Sequence, residues 1–244
     1  MSSTLYLAAT LVLPLVFAIV LHEVSHGWAA RALGDPTADE RGRLSLNPLR
    51  HVDLFGTLLP PGALKLMGLP VFGWAKPVPV DYARLRSPKR DMAVVAAAGP
   101  AMNLFMAIPA ALAVAAIFKV CGGTAQEIGP WSNGQVVLPD SWEFLAQTSM
   151  AFLTVNLFLA LFNLLPLPPF DGSRILRGAL PNAGVRVLDR IEPIGIPLFM
   201  IVFVVLPWLV PGLHLIDRII LPPVLWILDS YLNLAGWAVG LAQA

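Results

Sequence analysis

The chain has 244 residues and a formal net charge of +1. Hydrophobic residues make up 57% of it and charged residues 13%, against about 25% charged in soluble domains. That excludes an ordinary water-exposed globule and points to a membrane protein. No basic run is dense enough for a nucleic-acid footprint. The single cysteine, Cys121, leaves no partner for an internal disulfide and no Cys-x-x-Cys metal site, so any metal must be held by His, Asp or Glu.

The first apolar run, Leu5 to about Leu33, follows Met1-Ser2-Ser3-Thr4. Without a basic n-region it reads as a retained span rather than a cleavable signal peptide. Further runs long enough to cross a bilayer are Met92 to about Phe118, Phe144 to Leu165, Ile194 to Val210 and Ile219 to Leu241. The 23 prolines and 19 glycines interrupt apolar sequence, a pattern expected of broken helices whose freed backbone groups find partners inside the protein. The expected fold is an all-α multi-pass membrane protein of about five to six spans. No polar stretch is long enough to bury a core of its own, so residues 1–244 are expected to form one membrane domain.

Arg31, Arg41, Arg43 and Arg50 follow the first span, Lys76, Arg84, Arg86, Lys89 and Arg90 precede the second, and Arg174, Arg177, Arg186 and Arg190 follow the third. The positive-inside rule makes these segments cytoplasmic and puts the amino terminus outside. The stretch from Cys121 to Glu143 has no Lys or Arg and fits an external loop. Leu54 to Trp74 lies between two basic segments, and its Pro60-Pro61-Gly62 break favours a re-entrant hairpin. The competing reading is a tilted sixth span that breaks the charge rule.

Inside the first span stands His22-Glu23-Val24-Ser25-His26. Residues i and i+4 share a helix face, so the two imidazoles can bind one metal while the carboxylate between them takes a proton from water. Ionisable side chains inside a span are costly and usually functional, which favours a metal site over two packed histidines bonded to Glu23. A catalytic zinc needs a third protein ligand. His51 and His214 are candidates, but Asp171 suits better, because it lies at the cytoplasmic end of the third span at the depth of His22 and His26. Asp171 has a second reading, as the N-cap of the segment that carries Arg174 and Arg177. Pro166, Pro168 and Pro169 cannot sit in an unbroken helix, so the backbone before Asp171 should be unwound.

Five ordered motifs resemble the site-2 protease family of intramembrane zinc metalloproteases, in particular its small bacterial members without PDZ or CBS domains. They are His22-Glu23-x-x-His26, Asn47-Pro48-Leu49-Arg50-His51-Val52-Asp53, Gly73-Trp74-Ala75-Lys76-Pro77-Val78-Pro79-Val80, Ala98-Gly99-Pro100-Ala101-Met102-Asn103 and Pro168-Pro169-Phe170-Asp171-Gly172. Ser173 departs from the family's frequent Asp-Gly-Gly, and a small polar residue is expected to be tolerated there. The resemblance implies one zinc ion held by His22, His26 and Asp171, with Glu23 as general base. It also implies that Asn163 and Pro168 help hold substrate and that Asn103 faces the same core. Interhelical hydrogen bonds are the alternative role for both asparagines.

Unwinding a substrate helix in lipid leaves costly unpaired backbone groups. Residues Gly73 to Val80, with Gly73 and Trp74 at their head, are therefore read as a short β-strand edge near the active site that receives extended substrate. The alternative is a connecting loop anchored at the interface by Trp74. The resemblance further implies a bacterial inner-membrane location with the active site toward the cytoplasmic leaflet. It implies a single-span membrane-protein substrate already shortened by another protease, contact with lipid, no nucleic acid, and a regulatory membrane partner. A binding relative that does not cut, or a transporter, would share the broken helices but not need Glu23.

Overall fold

The computed structural model describes residues 3–51, 76–123, 138–210, 212–213 and 215–241. Among them there is no strand, and the architecture is helical throughout. In chain order the helices are α1 (Ser3–Ala32), α2 (Thr37–Glu40), α3 (Pro88–Val120), α4 (Asp140–Asn163), α5 (Asp171–Ala179), α6 (Asn182–Ile191), α7 (Gly195–Met200), α8 (Leu206–Leu209) and α9 (Leu221–Val239). Wider turns at Ile201–Val205 and Ile216–Ile220 lead into α8 and α9.

Five helical stretches among the described residues are long and apolar enough to cross a membrane: Ala9–Ala32, Pro88–Val120, Trp142–Asn163, Asn182–Leu209 and Ile216–Val239. They match the five runs read from the sequence, with one extension. The fourth begins at Asn182, because the polar helix α6 runs on through Glu192–Ile194 into the apolar part. Large apolar side chains such as Leu11, Leu13, Phe17, Phe105 and Trp226 are exposed, as lipid-facing residues of spanning helices are. The chain is a membrane protein.

The expected re-entrant segment, Leu54 to Trp74, lies outside the described residues, as do Gly73 and His214. Of the expected strand edge, residues 76–80 are described, and they have no regular secondary structure.

The chain divides into two compact units. One comprises Met1–Ala18, Asn103–Leu161 and Ile219–Ala244, the other Ile19–Met102 and Phe162–Arg218. In the first, Tyr6 meets Phe144 edge to face, Asn103 donates to Asn156 Oδ1 at 2.8 Å and to the Ala18 carbonyl at 3.3 Å, and Tyr231 donates to the Leu104 carbonyl at 3.2 Å. Asn103 and Asn156 are fully buried, so each side-chain amide needs a partner of this kind.

The second unit is built on small residues and aromatics. Ala30, Leu85, Met92 and Val95 form a buried cluster with Ala29, Leu33 and Val80 against it, joining the end of α1 to the start of α3. Phe162, Phe170 and Phe199 pack edge to face with ring centroids 4.6 to 5.7 Å apart, the preferred aromatic geometry. That cluster clamps the chain between α4 and α5 to α7. Gly34, at φ 110°, ends α1 in the left-handed region that suits glycine, and the next residue, Asp35, turns back to donate its N–H to the Ala30 carbonyl at 2.9 Å.

Candidate metal centre

The second unit contains all of His22, Glu23, His26 and Asp171. His22 and His26 are one helical turn apart on α1 and point the same way. Opposite them α3 presents Gly99, where a Cβ would fall 2.5 Å from His26 Nε2 and 2.6 Å from His22 Cε1. Any side chain at this position would occupy the space of the imidazoles. One turn before Gly99, the Val95 carbonyl takes a hydrogen bond from His26 Nδ1 at 2.7 Å. A carbonyl only accepts, so Nδ1 carries the hydrogen and Nε2 is turned toward His22 and Asp171.

Asp171 arrives from the other side. It is the first residue of α5, after Phe170 in extended conformation, rather than the cap of that helix. Gly172 permits the approach: a Cβ there would lie 2.3 Å from the Leu164 carbonyl oxygen and 2.4 Å from that of Leu165. Ser173 is buried and donates to the Phe170 carbonyl at 2.7 Å, so its hydroxyl closes the same turn. Arg174 Nη1 stands 3.9 Å from Asp171 Oδ1, leaving Oδ2 to face the histidines.

The three ligand atoms form a nearly equilateral triangle. His22 Nε2 and His26 Nε2 are 3.1 Å apart, and Asp171 Oδ2 is 3.2 Å from the first and 3.3 Å from the second. Zinc bonded at about 2.0–2.1 Å in tetrahedral geometry separates its ligand atoms by about 3.3 Å. The triangle therefore has the dimensions of three of the four zinc positions. All three residues are at most 9% exposed. Burial works against ionisation of Asp171, but hydrogen bonding and charge from the facing imidazoles outweigh it and hold the carboxyl well below the usual carboxylate range. Three such atoms this close need positive charge among them, from protons on the imidazoles or from one divalent cation. The His26 to Val95 hydrogen bond is the outer support that metal-ligating histidines have. Two imidazoles and one carboxylate oxygen are a donor set of catalytic zinc sites. Among the described residues His22, His26 and Asp171 are the group of three that could hold a metal ion.

Glu23 is the neighbour of His22 but faces another side of α1, together with Gly27 at i+4. Its Oε2 accepts the backbone N–H of Val78 at 2.9 Å. Nothing in the residue pattern signals this contact beyond the glycine four residues on. The N–H of Lys76 is likewise engaged, by the His51 carbonyl at 2.9 Å. In this described part of the expected edge the N–H groups of Lys76 and Val78 thus turn inward.

His51, a candidate third ligand, is buried with Nε2 at 2.8 Å from the Ser45 carbonyl, away from the triangle. Asn163 is the last residue of α4, and Pro168 is buried against Gly195, where a Cβ would meet the Pro168 carbonyl oxygen at 2.8 Å. Asn103 belongs to the first unit, with Asn156 and the Ala18 carbonyl as partners.

Comparison with known proteins shows the family. Residues 10–206 match the family described as peptidase family M50. The chain is 35% identical over 195 residues to "Putative zinc metalloprotease YwhC" of Bacillus subtilis (strain 168), covering 80% of each. It is 30% identical over 227 residues to "Putative zinc metalloprotease Rip2" of Mycolicibacterium smegmatis, covering 91% of this chain and 75% of that one. No solved structure matches. The chain is thus a metalloprotease and belongs to peptidase family M50, the site-2 protease family.

Proposed function

We propose that this metalloprotease hydrolyses peptide bonds within or near the transmembrane segments of other membrane proteins, using one zinc ion held by His22, His26 and Asp171. The observation that carries the reading is the position of the ligand triangle on a membrane-length helix. His22 and His26 lie within the Ala9–Ala32 stretch, about 15 and 9 Å from its end at 1.5 Å per residue. A substrate bond has to reach that depth to be cut.

Zinc bound there would supply Lewis acidity to a peptide carbonyl and make an attacking water more acidic. Glu23, next to a ligand in sequence, is the group we assign to take the proton of that water on a carboxylate oxygen and deliver it to the leaving amine. The Val78 N–H holds the carboxylate. Burial of the three ligands keeps bulk water from their donor atoms and strengthens the electrostatic interactions between them.

The basic residues beside the spans support a cytoplasmic active-site face and an external amino terminus, and the resemblance to small bacterial members supports residence in a bacterial inner membrane. The substrate class that fits is a single-span membrane protein already trimmed by an earlier cleavage, such as a tethered regulator or a signal-peptide remnant. A regulatory membrane partner fits a chain that resembles members without PDZ and CBS domains.

The test compares membrane-protein termini in cells expressing the wild-type chain and Glu23→Gln, with the zinc content of both purified proteins as control. New termini inside spanning segments that depend on Glu23 are expected. Equal zinc with identical termini, in cells where candidate substrates are already trimmed, would count against intramembrane cleavage.

A further inference from the structure

Residues 76–81 carry a hydrogen-bond pattern that metal binding does not require. Pro77 and Pro79 lack an N–H, so Val78 holds the single backbone donor between Lys76 and Val80, and it is given to Glu23 Oε2 at 2.9 Å. Both ends of the segment are fixed. At Lys76 the N–H donates to the His51 carbonyl at 2.9 Å, and the carbonyl accepts from Arg43 Nη2 at 2.7 Å. At Asp81 the N–H donates to Asp35 Oδ2 at 2.7 Å.

Asp35 is fully buried. Its Oδ1 accepts from the Thr37 N–H at 3.0 Å and from the Thr37 hydroxyl. Its own N–H is bonded to the Ala30 carbonyl of α1, the helix that carries Glu23. Burial works against ionisation of Asp35, but these donors and Arg84 hold its carboxyl below the ordinary value. The middle of the segment is seated on α1 as well: Val78 is buried, and a methyl at Gly27 would come 3.1 Å from Val78 Cγ1. Lys76 and Val78 both precede a proline, which restricts them to extended conformations, so the segment is stiff by sequence.

We propose that residues 76–81 form a positioning strap for the general base, in which Val78 acts on Glu23 through its backbone N–H while Asp35 and Arg43 fix the strap's ends. The proposal rests on the reading of Glu23 as the base. A free glutamate side chain samples several rotamers, whereas a base must stay within hydrogen-bond reach of the proton it takes. The strap removes that freedom without a charged partner, leaving the second carboxylate oxygen for water.

Two variants separate the N–H from the side chain. Val78→Pro deletes the donor between two existing prolines, while Val78→Ala keeps it. Both are assayed as zinc-loaded full-length protein on a single-span substrate named by the terminus comparison. Val78→Pro is expected to lower kcat roughly 10²-fold, the scale of a misplaced catalytic group, with KM and zinc content unchanged, and Val78→Ala to stay near wild type. Wild-type kcat in Val78→Pro, or an equal loss in both variants, overturns the proposal.

Hydrogen exchange at the Val78 amide provides a second arm that needs neither substrate nor a folded proline variant. Exchange is expected to be faster in Glu23→Ala than in wild type, and an unchanged rate overturns the strap. A zinc-loaded wild type that cuts nothing would refute the proteolytic reading, and the exchange result would still decide the strap.

Discussion

The two units of the chain bury polar side chains to different ends. In the first, Asn103 donates to Asn156 Oδ1 at 2.8 Å and also to the Ala18 carbonyl, and Asn156 donates to the Phe152 carbonyl. In the second, His22 Nε2, His26 Nε2 and Asp171 Oδ2 converge within 3.3 Å of one another. The first arrangement pairs amide N–H donors with oxygen acceptors and calls for no ion. The second concentrates ligand atoms in a low-dielectric interior, where they need a positive charge among them. Complementarity, rather than burial or polarity, tells a structural hydrogen bond from a metal site.

The sharpest way to break this contrast is by alanine substitution in each unit. His22→Ala, His26→Ala or Asp171→Ala should abolish zinc binding and cleavage together, whereas Asn103→Ala and Asn156→Ala should keep one zinc per chain by metal analysis. Loss of zinc in the asparagine variants would erase the distinction. Next in size, Glu23→Gln should retain zinc and lower turnover by about 10²- to 10⁴-fold, the range of general acid–base contributions. Residual cleavage close to wild type would assign the proton transfer elsewhere.

A smaller effect tests the fit around the triangle. Gly99→Ala places a methyl 2.5 Å from His26 Nε2 and should weaken zinc affinity by about 10- to 100-fold, as changes around a metal's ligands do. Competition with a chelator reads this, and an unchanged affinity would mean that the imidazoles have room to move. The smallest effect belongs to the first unit. Asn103→Ala should destabilise the protein by about 1–2 kcal/mol, the scale of a membrane-interior hydrogen bond, seen as a lower Tm in detergent at constant zinc content.

Much of the site was legible because its signals are local or rare. Two histidines and a glutamate within five residues of an apolar run leave few structural excuses, and helix periodicity alone puts the histidines on one face. Asp171 was legible through its depth at the end of a span and through the motif around it, though not its place as the first residue of α5. The five spans followed from apolar length. Their edges were less clear, because α6 is polar and nothing in its composition announces that it continues into the apolar stretch after Glu192.

What stayed hidden depends on close backbone approach between distant segments. Gly99 and Gly172 stood in motifs, but that one makes room for two imidazoles and the other for the Leu164 and Leu165 carbonyls is a fact of packing. The bond from the Val78 N–H to Glu23 spans 55 residues and involves a backbone group, which has no residue-type signature. Within the expected edge, residues 76–80 are described, and the N–H groups of Lys76 and Val78 are committed inside the protein.

The most direct test of the metal centre is zinc K-edge absorption on the purified full-length protein, with Asp171→Ala alongside. One zinc bound by two imidazoles and oxygen donors at about 2.0–2.2 Å, lost in Asp171→Ala, is the predicted result. A sulfur donor at about 2.3 Å, or a spectrum that survives Asp171→Ala unchanged, would contradict it.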